Sequence, residues 1–234
     1  MCDTCGCQTN NQNSDTRLID INKSLLEANN AIASKNREHI EKMGAVAINL
    51  ISSPGAGKTT LLEKTADMAT NLFHFCVIEG DIETERDAER IRAKGIPAIQ
   101  LTTGGACHLD APLVHKGLHK LEDEISTTPF QILFIENVGN LVCPAAFDLG
   151  EHKRVVMVSV PEGSDKPAKY PRAFLGSDLF LITKIDLLDY FDFSIEEATE
   201  CAKRINPKIR VMSVSAKTGQ GMDKWIAYLQ NLID

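Results

Sequence analysis

No apolar run in this chain approaches the ~18–20 residues that a membrane span requires. The amino-terminal residues also lack a basic stretch followed by an apolar one, so no secretory signal is expected. No apolar segment precedes Cys2 to support a lipid anchor. Basic excess is missing too: 25 Lys and Arg stand against 32 Asp and Glu, for a formal charge of −7 and a pI near 5.4. Nucleic-acid binding needs a basic face, so that class is excluded, although a local phosphate site is not. The seven cysteines, an odd number, cannot all pair. A complete disulfide framework is therefore unlooked for, and the expected cytoplasmic location keeps thiols reduced.

The 234 residues are 43% apolar and 24% charged, which suits one sizeable domain with short appendages. Three cysteines, Cys2, Cys5 and Cys7, fall within MCDTCGCQ at the amino-terminal end of the sequence, where they can support no core. Disulfides, zinc, an iron–sulfur cluster and a labile metal site all use such a cluster; the reducing location and odd count shift the weight to metal. Residues 1–16 read as a flexible tail, with the polar QTNNQNSDT as tether. Residues 17–44 read as a helical segment, with Leu18, Ile21, Leu25, Ala28 and Ile32 at helical spacing, a potential break near Asn29–Asn30, and Gly44 as its end.

From residue 45 to 234 the pattern changes to short β-branched runs alternating with helical stretches. The runs are AVAINLIS (45–52), FCVIEGD (75–81), PAIQLT (97–102), ILFIENV (132–138), VVMVSV (155–160), LFLITKID (179–186) and IRVMSVSA (209–216). Near-continuous apolar strands separated by helices predict an α/β fold with a mostly parallel sheet covered on both faces.

The first run leads into SSPGAGKTT and then helical sequence. Such a turn aims backbone N–H groups at phosphate oxygens, with Gly55, Ala56, Gly57 and Thr60 around them, Lys58 on the β- and γ-phosphates and Thr59 on Mg²⁺. The strict motif has glycine where this chain has Ser52. Further along, Thr183-Lys184-Ile185-Asp186 ends a strand. The Asp186 carboxylate can accept from guanine N1–H and its 2-amino group, whereas adenine would leave it unpaired. The Lys184 stem can lie along a base, and Ser215-Ala216-Lys217 ends the next strand with a backbone N–H for guanine O6. The phosphate loop and these two loops resemble the corresponding elements of P-loop GTPases, with Thr183 where Asn is usual. Glu136-Asn137-Val138-Gly139 ends the run ILFI. Glu136 can hold Mg²⁺ through water, and the Gly139 N–H can contact a γ-phosphate. Asp81 is a candidate Mg²⁺ ligand, a water-orienting base, or merely the cap of a helix starting near Glu83. Lys58, Asp81 and Glu136 are thus the candidate catalytic residues. No glutamine stands in a water-positioning place, so slow intrinsic hydrolysis or help from a partner is expected.

A second cysteine constellation joins Cys107-His108 to Cys143, which follows four residues after Gly139. Two thiolates and an imidazole suit Zn²⁺ or Ni²⁺ but leave a coordination position open, unless two subunits pair their half-sites. His115 and His119, four apart, read as a solvated helix face rather than a metal pair. His39 has no evident partner, and Cys76 and Cys201 read as packing residues.

Taken together and in this order, C-x-x-C-G-C, SSPGAGKTTLL, EGDIET, ACHLD, IENVGNLVCP and TKIDLL resemble the hydrogenase nickel-incorporation accessory GTPases, the HypB family. The resemblance covers essentially the whole chain. It implies a GTPase, using GTP/GDP with Mg²⁺, that assists Ni²⁺ delivery to the large-subunit precursor of a [NiFe]-hydrogenase. It also implies a homodimer sensitive to nucleotide and metal, and a small zinc-containing nickel accessory protein as partner. By the same resemblance Cys2, Cys5 and Cys7 match a tight nickel site, and Cys107, His108 and Cys143 match a domain site taking Ni²⁺ or Zn²⁺. The His-rich storage tract of some relatives is missing. The alternatives are a urease-type nickel-insertion GTPase, an iron–sulfur scaffold with P-loop ATPase activity, and a nickel buffer with vestigial nucleotide binding.

Overall fold

Each of the seven apolar runs is a strand, and every pairing between them is parallel. They are β1 (Val46–Ser52), β2 (Phe75–Asp81), β3 (Ala98–Thr102), β4 (Ile132–Glu136), β5 (Lys153–Ser159), β6 (Leu179–Thr183) and β7 (Arg210–Ser213). The structure, a computed structural model, describes residues 11–69, 71–81, 85–124 and 129–233, with side chains from residue 24 onward. The sheet order is β3-β2-β4-β1-β5-β6-β7. The chain leaves β1 toward one edge, returns through β4, and then continues past β5 to the other edge. The carboxyl end of β1 is therefore a topological switch point, where such sheets open a ligand crevice.

Strands buried on both faces need two layers of helices. One face packs under α2 (Lys58–Ala69), α3 (Arg86–Arg92) and α8 (Met222–Gln230), around Leu61, Leu62, Phe134 and Trp225. The buried Trp225 indole N–H donates to Thr65 Oγ1 at 2.9 Å, so its burial leaves no polar atom unpaired. The other face is covered in two halves. The first uses α4 (Ala111–Glu124) and α1 (Asn11–Lys42), through Ile40, Ile78, Val114 and Leu118. The second uses α6 (Pro171–Leu175), preceded by the short α5 (Lys166–Lys169), and α7 (Ile195–Ile205), through Phe174, Phe180 and Ala198.

α1 departs from its predicted form. Within the described residues it extends back to Asn11, ahead of the apolar pattern, and runs unbroken through Asn29–Asn30. Its inner face is also a different one: Leu25 is 60% exposed, whereas Asn29, Ala33, Asn36 and Ile40 are buried. The two asparagines decide this. Asn29 accepts from the Ala111 N–H and donates to the Asp148 carbonyl. Asn36 Nδ2 donates to the carbonyls of Ala111 and Leu149 at 2.9 and 3.0 Å. An unpaired buried backbone group costs ~1–3 kcal/mol, so a polar seam that satisfies the start of α4 and the 148–150 turn outweighs an apolar stripe.

Candidate nucleotide and metal sites

The loop between β1 and α2 lies at the switch point. Gly55 and Gly57 have φ of 74° and 93°, a left-handed backbone that side chains resist, and α2 starts at once with Lys58. Lys58 is buried, and its ammonium donates to Ser52 Oγ at 3.1 Å. Ser52 in turn donates to the Ser53 carbonyl. The departure from glycine thus supplies a hydroxyl that holds the lysine across the loop. Thr59 Oγ1 donates to Glu136 Oε1 at 2.9 Å, while the buried Glu136 Oε2 has no partner. Burial pushes the Glu136 carboxyl up to about 7, opposed by the Lys58 charge and the Thr59 bond. A hydroxyl beside a carboxylate with a vacant oxygen is a hard oxygen set that fits Mg²⁺. Gly139 approaches the loop so closely that a Cβ there would lie 2.9 Å from Pro54 Cα and N.

A cavity of about 210 Å³ adjoins the loop, lined among others by Ala56, Thr60, Lys184, Asp186, Ala216 and Lys217. Lys184 has φ 58°, the one positive value outside glycine among the described residues. This turns its side chain back over the phosphate loop, where Nζ donates to the Gly55 carbonyl at 2.7 Å. Thr183, in the usual asparagine position, donates to the Ala56 carbonyl at 2.6 Å and ties the two loops together. Ser215 Oγ donates to Asp186 Oδ1 at 2.6 Å and orients the carboxylate at the cavity. The wider cleft of about 710 Å³, lined by Lys153, Asp178, Arg210 and Tyr228, lies at the amino ends of the strands and holds none of these groups.

Asp81 stands at the carboxyl end of β2, half-buried. It does not cap the next helix, since α3 begins at Arg86 with Glu85 at its N-cap. Glu79 is the residue that the sequence reading missed. Strand alternation puts it on the same side as Asp81, and it lies in register with Glu136 on β4 and Gln100 on β3. Its Oε2 has no partner, and burial, followed by the Glu136, Asp81 and Asp87 charges, pushes its carboxyl up to about 8. The Gln100 amide pulls the other way, without a hydrogen bond of good geometry. The signal available in the sequence was a second acid inside an otherwise apolar strand.

The second constellation is assembled. Cys107, His108 and Cys143 bring their donor atoms within 4.8 Å of one another, with the two Sγ atoms 2.9 Å apart. Bonds of about 2.3 Å to one ion would hold the sulfurs somewhat farther apart. Burial lowers the pKa of His108, whose ring packs against Phe147 at 4.1 Å, and so favours the neutral imidazole that ligates metal. Without an ion, the hydrogen bond shared with Cys107 raises the Cys143 thiol pKa. Asn137 joins this site to the nucleotide crevice: its Oδ1 accepts from both Leu109 N–H and Val138 N–H at 3.0 Å. Leu109 follows His108, and Asn137 follows Glu136, so one buried amide spans the two sites. Cys2, Cys5 and Cys7 lie outside the described residues. His119 is exposed and His115 half-buried on the outer side of α4, and His39 from α1 joins them in a cluster that the sequence did not indicate.

A family model described as the CobW/HypB/UreG nucleotide-binding domain matches residues 46–213. The hydrogenase maturation factor HypB of Azotobacter chroococcum is 48% identical over 217 residues, which cover 93% of this chain and 70% of the relative. The hydrogenase/urease maturation factor HypB of Helicobacter hepaticus is 42% identical over 215 residues, covering 92% and 88%. The crystal structure of HypB from Helicobacter pylori in complex with nickel superposes with a TM-score of 0.85 at 40% identity, covering 88% of this chain and 95% of that one. Among the described residues no helix is long and apolar enough to cross a membrane.

Proposed function

Because the chain belongs to the CobW/HypB/UreG family, and within it to the HypB hydrogenase maturation factors, we propose that it hydrolyses GTP to control the release of Ni²⁺ for insertion into a [NiFe]-hydrogenase large-subunit precursor. One observation carries this reading. The segment from Glu136 to Cys143 has a carboxylate in the phosphate crevice at one end and a thiol of the metal constellation at the other.

In the proposed mechanism the β- and γ-phosphates of GTP lie across the N–H groups of 55–60, and Lys58 exchanges Ser52 for them. Asp186 accepts from the guanine edge, Lys184 forms a wall of the base cavity, and the loop of Ser215, Ala216 and Lys217 closes over O6. Thr59 and Glu136, with Asp81 nearby, would hold Mg²⁺, which when bound neutralises charge on the phosphate oxygens. Gly139 follows the γ-phosphate. Asp81, at the carboxyl end of β2, is the proposed residue to orient the attacking water, and cationic charge entering the crevice would favour the ionised form of the neighbouring Glu79, whose carboxyl stands at about 8.

Loss of the γ-phosphate releases the Glu136–Gly139 segment. Through Asn137 the shift reaches Leu109 and His108, and along the chain it reaches Cys143. The donor atoms around the ion then separate, and Ni²⁺ leaves. We assign Cys2, Cys5 and Cys7 as the tail's own nickel site. We also propose a homodimer in which two copies pair their Cys107, His108 and Cys143 half-sites and so fill the open coordination position. We further propose a cytoplasmic setting, and a small zinc-containing nickel accessory protein as exchange partner. A urease role alongside the hydrogenase one is favoured by the Helicobacter relative.

The test is phosphate release from GTP. The wild type is expected to show slow, Mg²⁺-dependent turnover with preference over ATP, and Lys58→Ala to abolish it. Equal rates with ATP, or turnover unaffected in Lys58→Ala, would overturn the reading.

A further inference from the structure

Outside both sites described above, three imidazoles converge on the seam between α1 and α4. One ring nitrogen each from His39, His115 and His119 lie within 4.8 Å of one another. The ring centroids are 4.7 Å apart for His115–His119, 5.1 Å for His39–His119 and 6.3 Å for His39–His115. The i, i+4 spacing puts His115 and His119 on one face of α4, and α1 brings His39 against them. From this juxtaposition we propose a further metal site, all-nitrogen and near the surface, which takes a borderline divalent ion, Zn²⁺ or Ni²⁺, and pins α1 to α4.

Hydrogen bonds fix which nitrogens are free. Asn36 Nδ2 is committed as a donor to the Ala111 and Leu149 carbonyls, so its Oδ1 is the acceptor facing His115 Nδ1 at 3.0 Å. His115 therefore carries its proton on Nδ1 and presents a bare Nε2. That nitrogen lies 3.3 Å from His119 Nε2, a separation that an ion bonded to both would widen. Glu122 serves the other two rings: Oε1 accepts from His39 Nε2 at 2.8 Å, and Oε2 lies 3.3 Å from His119 Nδ1. Each imidazole thus has one nitrogen held by an oxygen acceptor, the arrangement that orients metal-ligating histidines and raises their basicity. Three neutral imidazoles with a position left for water suit Zn²⁺ or Ni²⁺; among the described residues no carboxylate-rich cage for Ca²⁺ or Mg²⁺ is present at this seam.

The location gives the site a structural consequence. α4 follows directly from the Cys107-His108 loop, with Asp110 accepting from the Leu113 N–H as its cap. α1 leads back toward the tail that holds Cys2, Cys5 and Cys7. An ion here fixes the orientation of the tail-bearing helix to the helix that leaves the domain's thiol site. The inference does not rest on GTP hydrolysis or on nickel delivery, and Zn²⁺ alone would establish it.

The experiment uses the full chain with Cys2, Cys5, Cys7, Cys107 and Cys143 changed to Ser, dialysed against Zn²⁺ alone and against Ni²⁺ alone. The background should retain one ion per chain, with X-ray absorption showing nitrogen and oxygen neighbours and imidazole scattering, and its Tm should rise with the ion. His119→Ala, which removes a largely exposed side chain, should weaken binding at least tenfold and abolish the Tm rise while leaving the metal-free Tm unchanged. Glu122→Gln should weaken binding by about 10–100-fold, as loss of an orienting acceptor does. No retained ion in the background, or an ion retained equally by His119→Ala, would overturn the site.

Discussion

Glu79 and Glu136 are two carboxyl groups buried side by side on neighbouring strands, each with an oxygen that finds no hydrogen-bond donor. Such a pair is costly unless it is protonated or meets a cation. With the Glu79 carboxyl held protonated to about 8, against 4.5 for the ordinary group, the folded state binds more protons than the unfolded chain across that window. Stability of the nucleotide- and metal-free protein therefore falls as pH rises through it. Glu79→Gln removes the ionisation, so between about pH 5 and pH 8 the wild type should lose stability on the order of 2–4 kcal/mol relative to the variant, read as diverging melting temperatures. Parallel curves would contradict the assignment. At the other end of the crevice, Asp186→Ala should weaken GTP and GDP binding by roughly 100- to 10,000-fold, the scale of two bonds to a charged acceptor, without improving ATP; fluorescent-nucleotide titration measures both. The placement of Lys58, Thr59 and Asp186 around one crevice is legible in the sequence because the proposed chemistry ties them to fixed loop positions. Glu79 is not, because its importance comes from β3 and β4 neighbours that only the register supplies.

Among the elements, the seven strands were readable throughout, since continuous β-branched runs have no other low-energy use. α1 was readable as a helix, but its inner face was not. Apolar spacing pointed to Leu18, Ile21, Leu25, Ala28 and Ile32; the buried seam instead uses Asn29 and Asn36, whose partners at Ala111, Asp148 and Leu149 lie far along the chain. The same blindness to distant partners hid the convergence of His39 on α4. It also left Asn137 without a role, although this side chain joins the Glu136–Gly139 segment, proposed to sense phosphate, to the loop of the thiol cluster. Asn137→Ala leaves the buried Leu109 N–H without its acceptor, at a cost of ~1–3 kcal/mol. The expected outcome is a lower Tm and a nickel affinity that no longer differs between GDP and a GTP analogue, while nucleotide affinity is retained. A variant that keeps the nucleotide-dependent difference would move the coupling elsewhere, to the chain between Gly139 and Cys143.

For the molecule as a whole, the sheet order sets what can communicate. β4 enters between β1 and β2, so the strand that presents Glu136 to the phosphate loop is also the strand whose exit carries Cys143 to the Cys107-His108 loop. In the proposed mechanism nucleotide and metal are thereby served by one short segment, and a displacement there would act on both. To bias such a segment tenfold requires only ~1.4 kcal/mol of differential binding, less than one hydrogen bond to a charged group contributes at its upper range. The direct measurement is an anaerobic Ni²⁺ titration of the Cys2/Cys5/Cys7→Ala variant, followed by the thiolate-to-nickel charge-transfer absorption, to which an all-nitrogen site is silent. It is run once with GDP and once with a non-hydrolysable GTP analogue. Affinities at the Cys107, His108 and Cys143 site that differ at least tenfold between the two nucleotides are the predicted result. Superimposable titrations would contradict it and leave GTP acting on partner docking rather than on the metal.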